Sequence, residues 1–134
     1  MNVPPGKKLE ILRPSAILSP TEPGFVTSTS AERGTSMVRA KIIGAGGFGG
    51  TGMIELLLGH PDAEIVKLID KENVGRPISA EFGHLAGLCD MVISSPEEDD
   101  PADGVDVVFC ATPDRVAMQL AADYVRAGVR LIDY

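Results

Sequence analysis

The alternation of apolar and polar positions after residue 37 follows two different periods along the chain. Short apolar or β-branched runs are typical of buried strands, and apolar residues three and four positions apart are typical of helices. The predicted strands lie at 38–43, 65–69, 91–93, 105–110 and 129–132. The predicted helices lie at about 50–59 and about 114–127, and each is followed by a glycine stop signal. Residues 71–90, with several glycines, predict a loop-rich crossover.

Strands that alternate with helices predict a parallel sheet that helices cover on both faces. Right-handed crossovers then give a doubly wound α/β fold of the Rossmann type. A ligand of such a sheet lies beyond the carboxyl ends of the strands, where the direction of winding reverses. We expect this point between the strand that ends at Ile43 and the strand that ends at Cys110.

Composition divides the chain near residue 37. Residues 1–36 hold five Pro, five Ser and four Thr without sustained periodicity, which is typical of a flexible or disordered extension. Residues 37–134 then have the length of a single domain. We expect the extension to contribute little to the fold.

Charge and cysteine content exclude several classes of protein. The net charge of −7 disfavours nucleic acid and anionic membranes as partners. No apolar run is long enough to predict a transmembrane span. The two cysteines, Cys89 and Cys110, are too few for a disulfide scaffold and lack metal-ligand spacing, so we predict a cytoplasmic location and no metal site.

A glycine-dense turn follows the first predicted strand and opens the first predicted helix. Gly44, Gly46 and Gly49 match the G-x-G-x-x-G dinucleotide fingerprint, and Gly44, Gly47 and Gly50 match a related spacing. A strand, a glycine turn and a helix bring backbone close to a pyrophosphate and aim a helix N-terminus at it. We therefore predict a dinucleotide site; the alternative is a turn whose glycines are purely steric.

An acidic residue, Asp70, ends the second predicted strand. Its carboxylate can accept a hydrogen bond from the ribose 2′-hydroxyl of NAD and would repel the 2′-phosphate of NADP. Lys71 and Arg76 lie nearby in sequence, and both can pair with that phosphate. The alternative is that Asp70 and Lys71 are a solvated strand end.

No cysteine or histidine stands in a pattern that predicts catalysis. Cys110 lies within a buried apolar strand, where nothing nearby lowers the pKa of its thiol. Cys89 lies in a loop, His60 at a helix end, and His84 has no partner at catalytic spacing. The acidic run at 97–100 is predicted to be a solvated turn.

Several segments in order along 37–133 resemble the amino-terminal part of the N-acetyl-γ-glutamyl-phosphate reductases, within the semialdehyde dehydrogenase group. Residues 44–50, Gly-Ala-Gly-Gly-Phe-Gly-Gly, are similar to the family's Gly-Ala-Ser-Gly-Tyr-Thr-Gly. The remaining matches are Leu56-Leu57-Leu58-Gly59-His60-Pro61, Gly75-Arg76-Pro77, His84-Leu85-x-Gly87-Leu88, 106–113 and 127–133. The resemblance favours Gly44, Gly47 and Gly50 as the functional glycines.

The resemblance implies an activity for the parent protein. The family reduces an acyl phosphate to a semialdehyde with NADPH, in arginine biosynthesis, through a thioester on a cysteine that a histidine assists. Both groups belong to the family's later domain, before which this chain ends. We therefore expect a cofactor-binding domain that is truncated before the catalytic domain and carries no catalytic residue of its own.

The resemblance also implies site residues. The backbone N–H groups and clearance for the pyrophosphate come from Gly44, Gly47, Phe48, Gly49 and Gly50. From the chemistry of their own side chains, Asp70, Lys71 and Arg76 are expected to face the adenosine ribose. Ala111, Thr112 and Pro113 border the ribose and nicotinamide. NADP is the implied cofactor, and NAD is the alternative because of Asp70.

Three glycines and Asp70 depart from the family's pattern. Gly46, Gly49 and Gly52 stand where the family has Ser, Thr and Glu, and Asp70 stands where it tends to have Ser. Two other functions stay open: a non-catalytic nucleotide-binding or interaction module, and another semialdehyde dehydrogenase such as one acting on aspartyl phosphate. Residues 129–132 would form an exposed apolar edge, which predicts homo-oligomerisation or self-association.

Overall fold

Five parallel strands form the sheet of this protein, whose computed structural model describes residues 36–134. The strands are β1 (Val38–Ile43), β2 (Ala63–Ile69), β3 (Ile93–Ser94), β4 (Val107–Cys110) and β5 (Arg130–Asp133). Their order in the sheet is β3-β2-β1-β4-β5, so β1 lies at the centre and the winding reverses between β1 and β4. The predicted doubly wound fold is confirmed. The predicted flexibility of 1–36 concerns residues outside the described range, apart from Ser36.

Three helices within residues 36–134 connect the strands, and two of them lie in the expected places. They are α1 (Phe48–Leu58), α2 (Ile78–Glu81) and α3 (Val116–Arg126), and short 3₁₀ turns lie at Gly83–Leu85 and Pro96–Glu98. No helix within residues 36–134 has the length and apolarity to cross a membrane.

Each face of the sheet has its own apolar core. On one face, Ile42 of β1 and Leu68 of β2 pack with Ile54 of α1. On the other face, Ile43 of β1 and Val108 of β4 pack with side chains of α3. Because both faces of the sheet are covered, its central strands are apolar along most of their length.

The helix boundaries differ from the predicted ones by about one half-turn. α1 begins at Phe48 rather than Gly50, although glycine is a weak helix former. α3 begins at Val116 rather than residue 114, because Arg115 takes a left-handed conformation with φ of 75°. The crossover at 71–90 contains α2, a short helix that the sequence pattern did not predict.

The prediction that the acidic run at 97–100 is solvated is wrong for Asp99, whose side chain is 10% exposed. The ammonium of Lys41, buried in the centre of β1, lies 2.7 Å from Asp99 Oδ1 and 3.0 Å from Asp103 Oδ2. It also donates to the carbonyl oxygen of Asp100 at 3.0 Å. The hydroxyl of Tyr124 donates to the other oxygen of Asp99. A buried ammonium must be paired with negative charge, so Lys41 draws in carboxylates that the local run of acidic residues predicted to be solvated.

Candidate functional site

A cleft of about 770 Å³ opens at the carboxyl ends of β1 and β4, where the winding reverses. Its walls come from the glycine turn after β1, the segment after β2, the residue that begins the 96–98 turn, the loop after β4, and α3. The lining residues are Ile43, Gly44, Gly46, Gly47, Asp70, Lys71, Glu72, Asn73, Pro96, Ala111, Thr112, Pro113, Val116, Gln119 and Leu120. The cleft has the volume of a small-molecule site and lies where open α/β sheets bind ligands.

Gly44 and Gly50 allow three backbone segments to meet beneath the cleft. Gly44 has φ of +83°, and a Cβ there would overlap the carbonyl group of Ala111, whose carbon would be 2.8 Å away. A Cβ at Gly50 would overlap the carbonyl oxygen of Gly44 and lie 2.7 Å from the Cα of Ala45. These two glycines are therefore required by sterics alone.

Gly47, in contrast, is not required to be glycine by a steric overlap. It is the N-cap of α1 with φ of −86°, and a Cβ there would make only an ordinary 3.5 Å contact with Gly44 O. No side chain caps the helix, and its first turn holds no acidic residue. The N–H groups of Phe48, Gly49 and Gly50 lie in the first turn and have no hydrogen-bond acceptor within the helix. The helix therefore presents unsatisfied donors and the positive end of its dipole at the glycine turn. Such an end attracts an anion.

Phe48 and Gly49 contribute backbone at the start of α1 and do not line the cleft. The Phe48 side chain is 96% exposed. The carbonyl oxygen of Gly49 accepts a 2.8 Å hydrogen bond from the hydroxyl of Tyr134, and a Cβ at Gly49 would lie 3.3 Å from the Tyr134 ring. Tyr134 is a neighbour of the turn that the sequence pattern did not indicate.

Asp70 is half-buried, and its carboxylate accepts hydrogen bonds from the backbone on both oxygens. Its Oδ2 accepts from the Gly46 amide at 2.8 Å. Its Oδ1 accepts from the amides of Lys71 at 2.7 Å and Glu72 at 3.2 Å. The carboxylate therefore joins the end of β2 to the glycine turn and to the segment that follows it.

The two cations predicted at this end of the site have different surroundings. Lys71 lines the cleft and is exposed, and none of the ion pairs within residues 36–134 includes it. Arg76 is outside the lining, and its Nη1 lies 3.4 Å from Glu81 Oε1. The structure thus brings Asp70 and Lys71 to the cleft but not Arg76.

The loop after β4 forms the opposite wall. Ala111, Thr112 and Pro113 all line the cleft, and the Ala111 amide donates to Ile43 O at 2.9 Å. The Thr112 hydroxyl is buried and has no hydrogen-bond partner among residues 36–134. Because buried polar groups are nearly always paired, this hydroxyl is a candidate contact for a ligand.

Several lining residues were missed by the sequence analysis. The missed residues are Ile43, Glu72, Asn73, Pro96, Val116, Gln119 and Leu120, and Gly46 was named in the fingerprint but not among the preferred glycines. Asn73 has φ of 56°, a conformation that asparagine tolerates better than most residues. One signal could have indicated the lining residues of α3. That helix directly follows the loop after β4, so its first turns lie beside the point where the winding reverses.

Both cysteines are buried, as predicted for Cys110. Burial, and then the negative charges of Asp133 and Asp99, raise the pKa of the Cys110 thiol to about 11. A thiol with a raised pKa is a poor nucleophile at neutral pH. Within residues 36–134, no cluster of His, Cys, Asp and Glu could hold a metal ion.

The topology and the cleft define a nucleotide-binding α/β domain. The chain belongs to the family described as semialdehyde dehydrogenase, NAD binding domain, whose family model matches residues 39–134. It is thus a nicotinamide dinucleotide-binding domain. The glycine turn at 44–50 and the Thr112 hydroxyl, unpaired within the described residues, fit such a ligand.

Curated relatives are named N-acetyl-gamma-glutamyl-phosphate reductase, which confirms the resemblance seen in the sequence. The one from Laribacter hongkongensis is 39% identical over 97 residues, and the one from Brevibacillus brevis is 42% identical over 98 residues. Each alignment covers 72% of this chain and 28% of the relative. The chain therefore spans about 28% of the length of these proteins.

Solved structures show the same fold. An aspartate semialdehyde dehydrogenase with NADP from Candida albicans matches with a TM-score of 0.62 and 25% identity, over 73% of this chain and 29% of that one. A probable aspartate-semialdehyde dehydrogenase from Pseudomonas aeruginosa matches with a TM-score of 0.59 and 21% identity, over 73% and 28% of the two chains.

Proposed function

We propose that residues 37–134 bind NADP as the cofactor domain of an oxidoreductase similar to N-acetyl-γ-glutamyl-phosphate reductase. The observation that carries the proposal is the uncapped N-terminus of α1, which follows a glycine turn and faces the cleft between β1 and β4. The names of the relatives support it, as does the NADP that accompanies the Candida albicans enzyme in its crystal structure.

In this proposal the first turn of α1 holds the pyrophosphate. The amides of Phe48, Gly49 and Gly50 donate to phosphate oxygens, because they have no intrahelical acceptor. Gly44 and Gly47 leave room for the diphosphate to approach the backbone. The N–H of Gly47 itself already donates to Gly44 O at 3.2 Å.

The loop after β4 borders the nicotinamide half of the cofactor. Ala111 and Pro113 supply the wall, and the unpaired Thr112 hydroxyl supplies a hydrogen bond to ribose or to the carboxamide. A bound dinucleotide carries the hydride chemistry, and this chain orients it.

The adenosine end decides between the two forms of the cofactor. Lys71 is the cation available to a 2′-phosphate, since Arg76 lies beside Glu81. This supports NADP. NAD is the second candidate, because Asp70 lines the cleft and its Oδ2 has one acceptor position left for a 2′-hydroxyl.

The reaction of the whole protein is proposed from the relatives' names. It is the NADPH-dependent reduction of an acyl phosphate to a semialdehyde in arginine biosynthesis. We propose that this chain supplies no catalytic cysteine, because Cys89 and Cys110 are both buried. The likeness to the Candida albicans enzyme favours a second candidate, an aspartate-semialdehyde dehydrogenase.

Calorimetric titration of the 134-residue chain with NADPH and NADH tests the proposal. We expect saturable binding at or below millimolar concentration, with NADPH bound more tightly. Absence of binding by both nucleotides would contradict it.

Gly47→Asp is a variant that separates binding from folding. Aspartate is a slightly better N-cap than glycine, so the helix should gain about 0.2–0.5 kcal/mol of stability. The same carboxylate would place a negative charge where we propose the diphosphate, so affinity should fall about tenfold or more. An unchanged affinity for NADPH would place the pyrophosphate elsewhere.

A further inference from the structure

The end of β2 holds three successive amides of the glycine turn. The amides of Gly44 and Ala45 donate to the backbone oxygen of Ile69 at 2.8 and 3.1 Å. The amide of Gly46 donates to the side chain of Asp70 at 2.8 Å. The first two bonds would form with any residue at position 70, and only the third depends on a carboxylate there.

The Asp70 carboxylate is nearly saturated by backbone donors. It accepts from three N–H groups, those of Gly46, Lys71 and Glu72. An ionised carboxylate offers roughly four acceptor positions, so about one is left for any ligand. Asp70 is also fixed through its own amide, which donates to Ser94 O in the neighbouring strand at 3.1 Å.

Gly46 provides the room that this arrangement needs. A Cβ at Gly46 would lie 3.1 Å from Asp70 Oδ2, a distance at which the carboxylate would have to shift. Gly46 and Asp70 are 24 positions apart in sequence, and the missing side chain of Gly46 leaves the space that the Asp70 carboxylate occupies.

We propose that Asp70 is a positioning residue that fixes the glycine turn, and that it sets affinity for the diphosphate rather than reading the adenosine 2′-position. This inference rests on the proposed function, because it assumes a dinucleotide in the cleft. It changes the role expected from sequence, in which an acidic residue after the second strand recognises the ribose. Recognition of the 2′-position then belongs to Lys71, which lines the same cleft.

Two ligands that differ only at the 2′-position separate the two roles. NADH and its adenosine 2′-deoxy analogue are titrated against the wild-type chain and Asp70→Ser. If Asp70 positions the turn, the substitution weakens both ligands by a similar factor, about tenfold or more, because a charged hydrogen bond to the turn is lost. If Asp70 reads the ribose, it weakens NADH but leaves the deoxy analogue unchanged, which would overturn the proposal.

Amide hydrogen exchange measured by NMR tests the hydrogen bond without any nucleotide. In Asp70→Ser the amide of Gly46 should exchange about tenfold faster or more than in the wild-type chain. The amides of Gly44 and Ala45 are internal controls, because they donate to the backbone and should change little. Equal exchange at Gly46 in the two proteins would overturn the proposal.

A second substitution tests the match between the two residues. Gly46→Ala should weaken NADH binding in the wild-type chain and have a smaller effect in Asp70→Ser, where the crowded carboxylate is gone. Gly52→Ala is the matched control, since a Cβ at Gly52 meets nothing within 4 Å. Equal effects of Gly46→Ala in both backgrounds would contradict the coupling.

The outcomes distinguish the inference from the proposed function. Wild-type protein that binds neither NADPH nor NADH would contradict the function, and the exchange of the Gly46 amide would still show whether Asp70 holds the turn. Wild-type protein that binds, together with an Asp70→Ser variant that loses only the contribution of the 2′-hydroxyl, would contradict the inference and leave the function in place.

Discussion

The glycines of the turn have different physical reasons to be glycine. Gly44 has a positive φ and touches the loop after β4, and Gly50 touches the backbone of Gly44. Gly47 faces the cleft. Gly52 has open space around it. Of these four positions, only Gly44 and Gly50 are held to glycine by backbone contacts within the described part of the chain, which a motif of evenly spaced glycines does not reveal.

Alanine substitutions should therefore have opposite effects on stability. Gly44→Ala and Gly50→Ala should each destabilise the protein by about 2–4 kcal/mol, because a Cβ would overlap backbone that cannot move aside. Gly52→Ala should stabilise it by about 0.5–1 kcal/mol, because alanine is the better helix former. Urea unfolding followed by circular dichroism measures all three, and equal stabilities would contradict this account.

At the scale of elements, a buried ion network ties the β3–β4 connection to the central strand. Lys41 in β1 contacts Asp99 and Asp103, and its ammonium lies 5.2 Å from the centre of the Tyr124 ring of α3. Lys67 of β2 also lies 3.4 Å from Asp103. The network holds the segment that begins with Pro96, which forms part of the cleft wall.

Removal of one charged side chain from this network should lower the free energy of unfolding strongly, because its partners stay charged. Lys41→Met leaves Asp99 near the core without a cation and leaves Asp103 with Lys67 alone, so we expect a loss of about 3–5 kcal/mol. Combining it with Asp99→Asn and Asp103→Asn should recover part of that loss, since no carboxylate of the network is left without a cation and Lys67, which loses Asp103, is partly exposed. Asp123→Asn, in the exposed pair with Arg126, should change stability by less than about 0.5 kcal/mol. Additive effects in the network, measured by urea unfolding, would contradict the coupling.

The elements that the sequence predicted well are those with a strong local pattern. β1 occupies the predicted residues, and β4 and α3 are each shorter than predicted by about two residues at their starts. α2 was missed because its four residues are too few to show a helical period. The solvated turn at 97–100 was wrong for Asp99 because its partner, Lys41, is 58 positions away.

At the scale of the whole molecule, the two buried acids Cys110 and Tyr124 should make stability fall at alkaline pH. Burial raises the pKa of Cys110 to about 11, and burial with the hydrogen bond and charge of Asp99 raises the pKa of Tyr124. Raised pKa values mean that the folded state holds these protons more tightly than the unfolded state. The stability they contribute is complete below the unfolded pKa values and is lost as pH rises through the folded ones.

Denaturation at a series of pH values tests this expectation. From Cys110 alone, we expect a loss of about 3 kcal/mol between about pH 8.5 and pH 11, since one pKa unit corresponds to about 1.4 kcal/mol. Cys110→Ala should flatten this part of the profile whatever its effect at pH 7, and Tyr124→Phe should flatten the more alkaline part. A free energy of unfolding that rises with pH in this range would contradict the expectation.

The β5 edge of the sheet is exposed and could pair with another strand. β5 is an outer strand, and Ile132 and Tyr134 are exposed there. We propose that this edge pairs with a second copy of the chain, because an unpaired strand offers backbone donors and acceptors. Light scattering should give more than the mass of one chain, and Ile132→Lys should reduce that mass. A monodisperse monomer of the unaltered chain would contradict the proposal.

The sequence by itself determined the order of strands and helices, the place of the glycine turn and the position of Asp70 at the end of β2. These features follow from local periodicity and from the short-range conformational demands of glycine. Only the tertiary structure decided that Asp70 bonds to the Gly46 amide, that Arg76 lies beside Glu81 and that Lys41 is buried against Asp99. Hydrogen bonds and desolvated ion pairs depend on atoms that meet in space, and no local pattern of residues records which distant partner a polar group will find.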